Sequence, residues 1–164
     1  MLERLNLPEY ATRIRQGARE RLDIFDPVRR KFVRLTREEW VRQHMLNFLV
    51  HDKGYQTGLI AVEAGLKYNR RKKRSDILVY NHFGHPCLIV ECKAPDVEIT
   101  QEVFDQIAVY NFSLKVEYLI VTNGIQHYAC KMDHQAGTYE YLKRIPDYQE
   151  IRGNTGNKSI SNKS

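Results

Sequence analysis

The residues best suited to chemistry stand at the ends of two short apolar runs. Asp76 heads Ile77-Leu-Val-Tyr80, and Glu91-Cys92-Lys93 ends Cys87-Leu-Ile-Val90. If the two runs form a hairpin around Asn81-His-Phe-Gly-His-Pro86, pairing Tyr80 with Cys87 gives an index sum of 167 and sets Asp76 opposite Glu91. Directly opposed residues lie about 4.5–5.5 Å apart at Cβ, where like charges repel unless a cation sits between them. Alternation puts Glu91 and Lys93 on one face of the strand and Cys92 on the other. Two carboxylates, the backbone carbonyl of Cys92 and water make an oxygen-rich site suited to Mg²⁺, with Mn²⁺ as a substitute. Lys93 can then orient or deprotonate an attacking water, which is metal-assisted phosphodiester hydrolysis. The triplet alone is weak, since Glu-x-Lys is common and an ordinary strand-edge ion pair explains it as well.

Context strengthens it. Arg70-Arg71-Lys72-Lys73-Arg74 runs directly into Asp76 and reads as a phosphate-binding loop beside an acidic site, extended by Arg29, Arg30 and Lys31. The bland alternatives are a solvated loop or an import-like basic patch. A net charge of +6 over 164 residues favours a polyanionic partner without identifying one. The apolar runs fall far short of the ~20 residues of a membrane helix. The N-terminus lacks a signal-peptide pattern, so a cytoplasmic location is expected. Three cysteines without a Cys-x-x-Cys pair argue for reduced, buried thiols rather than zinc or dithiol chemistry.

The elements that must position these residues follow from periodicity. Ile24-Phe-Asp-Pro-Val-Arg-Arg-Lys-Phe-Val33 reads as a small hairpin at the end of a basic N-terminal segment, residues 1–35. Thr36 can cap a helix with Glu39 closing a capping box, and Val41, Met45, Phe48 and Leu49 continue it to a stop at Gly54. Runs at 59–62, 77–80 and 88–90 predict three consecutive strands, and residues 100–114 a second helix. Runs at 118–121, 126–131 and 138–142 supply further strands. The class is α/β on a mixed sheet. Residues 151–164 are too polar to bury and are expected to form a disordered tail.

Asp76 with Glu91-Cys-Lys93 on the next strand resembles the PD-(D/E)XK nuclease superfamily. More narrowly, several stretches together resemble the N-terminal nuclease domain of type I restriction enzyme R (motor) subunits. They are Ile24-Phe-Asp-Pro-Val-Arg, Thr36-Arg-Glu-Glu-Trp-Val-Arg-Gln43, Lys73-Arg-Ser-Asp-Ile77, Val90-Glu-Cys-Lys-Ala-Pro95, Gln101-Glu-Val-Phe-Asp-Gln-Ile107 and Val121-Thr-Asn-Gly124. The resemblance implies a restriction-endonuclease-like core over residues 36–150, ordered helix, three antiparallel strands, helix, parallel strand. It implies Asp76 and Glu91 as metal ligands, Lys93 as the catalytic lysine, and a Gln-x-x-x-Tyr element at Gln106 and Tyr110. Those two share a helix face and would help orient Lys93 or DNA. Glu39 is a candidate further carboxylate, although its capping role explains it equally well.

The implied function is a Mg²⁺-dependent DNA endonuclease leaving a 5′-phosphate and a 3′-hydroxyl. A non-cleaving nucleic-acid-binding or scaffold module that acts only with a partner is the alternative. Type I R subunits carry a helicase motor after this domain and the present sequence does not, so translocation is not expected of it. A separately encoded helicase or restriction-system subunit is the expected protein partner, and a homodimer is expected if both DNA strands are cut.

Overall fold

The structure, a computed structural model, describes residues 2–68 and 71–153, with side chains outside the description from 65 to 74. Its elements are β1 (Ile14–Gln16), β2 (Leu22–Asp26), β3 (Lys31–Arg34), α1 (Arg37–Asp52), β4 (Ile60–Tyr68), β5 (Arg71–Tyr80), β6 (Pro86–Cys92), α2 (Gln101–Leu114), β7 (Tyr118–Thr122), β8 (His127–Asp133), β9 (Thr138–Tyr141) and α3 (Tyr148–Ile151).

The expected N-terminal hairpin is β2 and β3, paired through Ile24↔Val33 and Phe25↔Phe32, and β1 adds a third antiparallel strand on the other edge of β2. Thr36 caps α1 by accepting the Glu39 N–H at 3.0 Å. The Glu39 carboxylate does not turn back to complete a capping box. It bonds Arg29, Arg42 and Gln43 instead, because two guanidiniums offer a charged acceptor more than one backbone N–H does. Gly54, at φ +74°, follows the last turn and lets the chain leave the helix.

The main sheet has the order β4-β5-β6-β7-β8-β9, antiparallel throughout except for the parallel β6/β7 pair, which α2 connects. Apolar residues on both sides of its central strands explain why helices cover both faces. Val41, Met45, Leu46 and Leu49 of α1 cluster with Ile77, Val79, Leu88, Val90 and Ile120. Phe104 and Ala108 of α2 cluster with Leu78, Ile89, Leu119, Val121 and Cys130. The three cysteines are buried free thiols. Among the described residues no helix is long and apolar enough to cross a membrane.

The β5/β6 register agrees with the index sum of 167 at Ile77↔Val90, Leu78↔Ile89 and Val79↔Leu88. Tyr80 pairs with Pro86 rather than Cys87, with an irregularity after Val79. The turn explains this slip: Asn81 donates its N–H to His85 O at 2.9 Å and its Oδ1 accepts from Phe83 N and His85 N, closing a loop one residue tighter than expected. The basic run is corrected too. Arg71 to Arg74 are not a loop but the first residues of β5, paired with β4 from Tyr68↔Arg71 to Gly65↔Arg74, while Arg70 lies outside the described residues. Their side chains alternate in no apolar pattern, so sequence periodicity gave no sign of a strand. At the C-terminus Asp147 and Glu150 form a capping box on α3, and Ile151, where the tail was expected to begin, is buried in the core. The rest of the expected tail from 154 lies outside the described residues.

The N-terminal segment clasps the β7–β8 turn, with Asn6 N donating to Gly124 O at 2.8 Å and Leu5 buried against the core. Gly124 has φ +83°, and a Cβ there would stand 2.8 Å from Leu5 Cδ2 and 3.0 Å from Val41 Cγ2. Gly137 has φ +68° with open space around it. Gly137→Ala is therefore expected to cost about 1 kcal/mol from backbone strain alone. Gly124→Ala should cost about 2–4 kcal/mol by adding overpacking. Urea unfolding of the two variants checks the order.

Candidate functional site

Three adjacent strands carry one carboxylate each in a transverse row. The pairs Val62↔Ile77 and Ala64↔Ser75 set Glu63 across from Asp76, and Ile77↔Val90 sets Asp76 across from Glu91. Regular pairing breaks at this row. Asp76 Oδ2 accepts the Cys92 N–H at 2.7 Å, so a side chain takes a backbone donor at the end of β6. Glu63 has left-handed backbone, φ +51°, an uncommon state for a non-glycine residue. Its carboxylate meets Arg29 Nη1 at 2.9 Å and Arg42 Nη1 at 3.7 Å. Glu91 is buried, 8% exposed, beside Val121 of β7. Lys93 follows the end of β6, its N–H donated to Thr122 O at 2.8 Å.

The other half of the site comes from the first turns of α1. Glu39, Arg42 and Gln43 fall at i, i+3 and i+4, so the stripe that farther along buries Leu46 and Leu49 buries charge here. Arg42, 4% exposed, donates Nη2 to Asp76 Oδ1 at 2.7 Å, pairs Nη1 with Glu39, and lies 3.4 Å from Glu38. Arg29 reaches across from the β2–β3 turn to Glu39 at 2.8 Å and to Glu63. That turn is itself fixed by Asp26. This fully buried carboxylate accepts the N–H groups of Val28 and Arg29 at 2.8 Å, Arg29 Nε at 2.6 Å and Gln43 Nε2 at 2.9 Å.

The electrostatics follow from this arrangement. Burial opposes charge on Arg42, but Glu39 and Asp76 outweigh it and hold the guanidinium's pKa above its ordinary value. Burial, followed by the charge on Asp76, raises the Glu38 carboxyl, while Arg42 and Lys93 pull it down. The Lys93 ammonium is thus near enough to Glu38 to act on it. The Cys92 thiol is pushed well above its ordinary value by burial first and then by Asp76. It is inert filler on the α1 side.

Of the residues singled out from the sequence, Asp76 lies in the middle of β5, across from Glu91 near the end of β6, and Lys93 follows two residues on; Asp76 takes the Cys92 N–H. Glu39 joins them through Arg42. Gln106 and Tyr110 lie on exposed turns of α2. The side chains of Arg71 to Arg74 are not described, but their strand runs directly into Asp76. Sequence reasoning missed Arg42, Glu38 and Glu63 and gave Arg29 only a peripheral place. Helical spacing of Glu38, Glu39, Arg42 and Gln43 was the available signal, whereas the left-handed turn at Glu63 leaves none.

The donor chemistry is that of a hard cation. Two carboxylates on adjacent strands are all oxygen donors, which suits Mg²⁺ with its retained waters. Among the described residues no three His, Cys, Asp or Glu side chains gather into a cage that could hold a metal alone. Both oxygens of Asp76 already accept a hydrogen bond. A cation would have to share them or displace Arg42.

Comparison with known proteins gives the relationship. A solved structure of a fragment assigned as the HsdR subunit of a type I restriction enzyme from Vibrio vulnificus YJ016 superposes with a TM-score of 0.51 at 21% identity, covering 71% of this chain and 24% of that one. A likeness at that identity is one of fold, and the present chain spans about a quarter of that protein's chain. No curated protein matches. The family described as type I restriction enzyme R protein N terminus (HSDR_N) matches residues 37–146, from the start of α1 to the residue before the α3 cap. That match takes in about two thirds of the sequence and all three residues of the acidic row, and the chain belongs to this family.

Proposed function

We propose that the chain is a metal-dependent DNA endonuclease with a PD-(D/E)XK core. The order α1, antiparallel β4-β5-β6, α2, β7 parallel to β6 supports that core. The observation that carries the activity is the row of carboxylates on β4, β5 and β6 with Lys93 two residues beyond Glu91. Glu39, Glu63 and Asp76 converge on the buried Arg42 guanidinium, and Lys93 is close enough to Glu38 to act on its carboxyl. Carboxylates opposed on adjacent strands repel unless a cation lies between them, and a divalent ion would meet that need.

Asp76 and Glu91 would hold Mg²⁺ or Mn²⁺, with the Cys92 carbonyl as a third oxygen. A bound ion would supply Lewis acidity toward the phosphate and a water of lowered pKa. Lys93 orients that water and offsets charge developing on the phosphate. Glu38, beside Lys93, keeps the ammonium in place. Gln106 and Tyr110 hold the DNA or Lys93 from α2, and the β4–β5 ribbon with Arg71, Lys72, Lys73 and Arg74 contacts the phosphate backbone. Membership in the R-protein family favours a restriction-system subunit or helicase as partner.

Nicking of supercoiled plasmid at low salt with Mg²⁺ or Mn²⁺ tests the reading. Wild type should nick, and Asp76→Asn and Lys93→Ala should each reduce the rate by at least about 100-fold. Absence of nicking in all three, with DNA binding retained, would instead support a non-cleaving, partner-dependent module.

Arg42 yields a second prediction. Arg42→Gln leaves Asp76 and Glu39 without their buried cation, so stability without metal should fall by about 3–5 kcal/mol. Added Mn²⁺ should then raise the melting temperature of the variant more than that of wild type. Equal shifts in the two proteins would separate Arg42 from the metal site.

A further inference from the structure

The outer face of the N-terminal sheet is the strongest feature the functional reading does not use. Between Tyr10 and Leu35 stand eight Arg and Lys against three carboxylates, so an excess of five positive charges sits in this segment of a chain whose total is +6. All of these cations except Arg29 are exposed. The segment precedes residues 37–146, so the family match does not account for it.

Alternation explains how the charge is presented. Ile24 and Asp26 point inward, fully buried, and Asp26 binds Gln43 of α1. Asp23 and Phe25 therefore face outward, opposite Arg34 and Phe32 on β3. On the edge strand, Arg15 pairs with Asp23, and the Arg13 carbonyl accepts the Phe25 N–H, which places Arg13 and Arg15 on the same outer face. Phe25 and Phe32 form an edge-to-face pair with centroids 5.3 Å apart. The Arg13 guanidinium lies 4.5 Å above Phe25, and that of Arg15 lies 3.9 Å above Phe32. Arg15 also lies 3.6 Å from Asp23, the one carboxylate of the face.

Stacking on a ring holds a guanidinium in place while leaving its N–H fork free, so less entropy is lost when an oxyanion is gripped. Two such forks two residues apart on a strand are separated by about 6.8 Å, comparable to the step between successive phosphates of a nucleic-acid strand. Planar forks recognise phosphate bidentately, which a general positive field does not require. The rim repeats the charge in an unfavourable place: Arg19 and Arg30 have left-handed backbone, φ 57° and 55°, where glycine costs least. The inner side of the same sheet is tied to the acidic row through Arg29.

We propose that the outer face of β1–β3, through Arg13 and Arg15 over the Phe25–Phe32 pair and Arg34 across from Asp23, binds the phosphate backbone of duplex DNA and holds it beside the acidic row. The choice of DNA rests on the functional reading above, but the test is run without divalent metal, so loss of binding and loss of cleavage are read separately. Fluorescence anisotropy with a labelled 30-base-pair duplex, titrated across NaCl concentrations, compares wild type, the triple variant Arg13→Gln/Arg15→Gln/Arg34→Gln, and a control with Lys115→Gln/Lys143→Gln on other surfaces. Each lost phosphate contact lowers the slope of log K against log salt by about 0.9. The triple variant should therefore lose between two and three units of slope and at least tenfold in affinity at low salt, with an unchanged melting curve. The lysine control should bind as wild type does. Wild-type affinity and slope in the triple variant, or an equal loss in the lysine control, would overturn the proposal.

Discussion

The burial of the Arg42 guanidinium between Glu39 and Asp76 is the constraint the rest of the structure answers to. A cation taken out of water costs several kcal/mol unless matched by charge and hydrogen bonds. Here the match comes from separate elements: Glu39 one turn earlier on α1, Asp76 on β5 and Glu63 on β4. The guanidinium in turn lies between Glu63 and Asp76, which stand across neighbouring strands and would otherwise repel one another. One end of α1 is thus docked on the sheet by charge, and the other by Met45, Leu46 and Leu49 on an apolar surface.

This division explains how much of the fold and site can be read from the sequence. Where packing is apolar, alternation and helical spacing carry the information, as in α1, α2, the central strands and the pairing of Ile77 to Val79 with Leu88 to Val90. Asp76 and Glu91 became neighbours by extending that pattern one step. Polar packing left no such trace. Glu39 was as good a capping residue as an ion-pair partner, and only Arg29, nearby in space but ten positions away, decides between them. Arg42 looks like an ordinary surface arginine until the strand beneath it is known to carry Asp76. The outer half of β5, Arg71 to Arg74, was invisible because it holds no apolar residue, and the slip at Tyr80 depends on side-chain bonds from Asn81 inside a turn.

The N-terminal sheet has two faces with two roles. Its inner face is stitched into the core by Ile24 and to α1 by Asp26, and its turn sends Arg29 into the acidic row. Its outer face holds stacked arginines in open solvent. A segment that precedes the family-matched residues is therefore structurally joined to this group, supplying the Arg29 guanidinium that pairs with Glu39 and Glu63. In the proposed endonuclease, attraction of a polyanion to one side of the molecule would complement attraction of a divalent cation to the adjacent acidic row.

The central claim is that Asp76 and Glu91 form a divalent-cation site which Arg42 shares. Crystals grown with millimolar Mn²⁺, measured at the manganese absorption edge, test it most directly. The account predicts one anomalous peak about 2.1 Å from a carboxylate oxygen of Asp76 and of Glu91, with Arg42 withdrawn from Asp76 Oδ1. An anomalous map with no peak at this row, and Arg42 still bonded to Asp76, would contradict it.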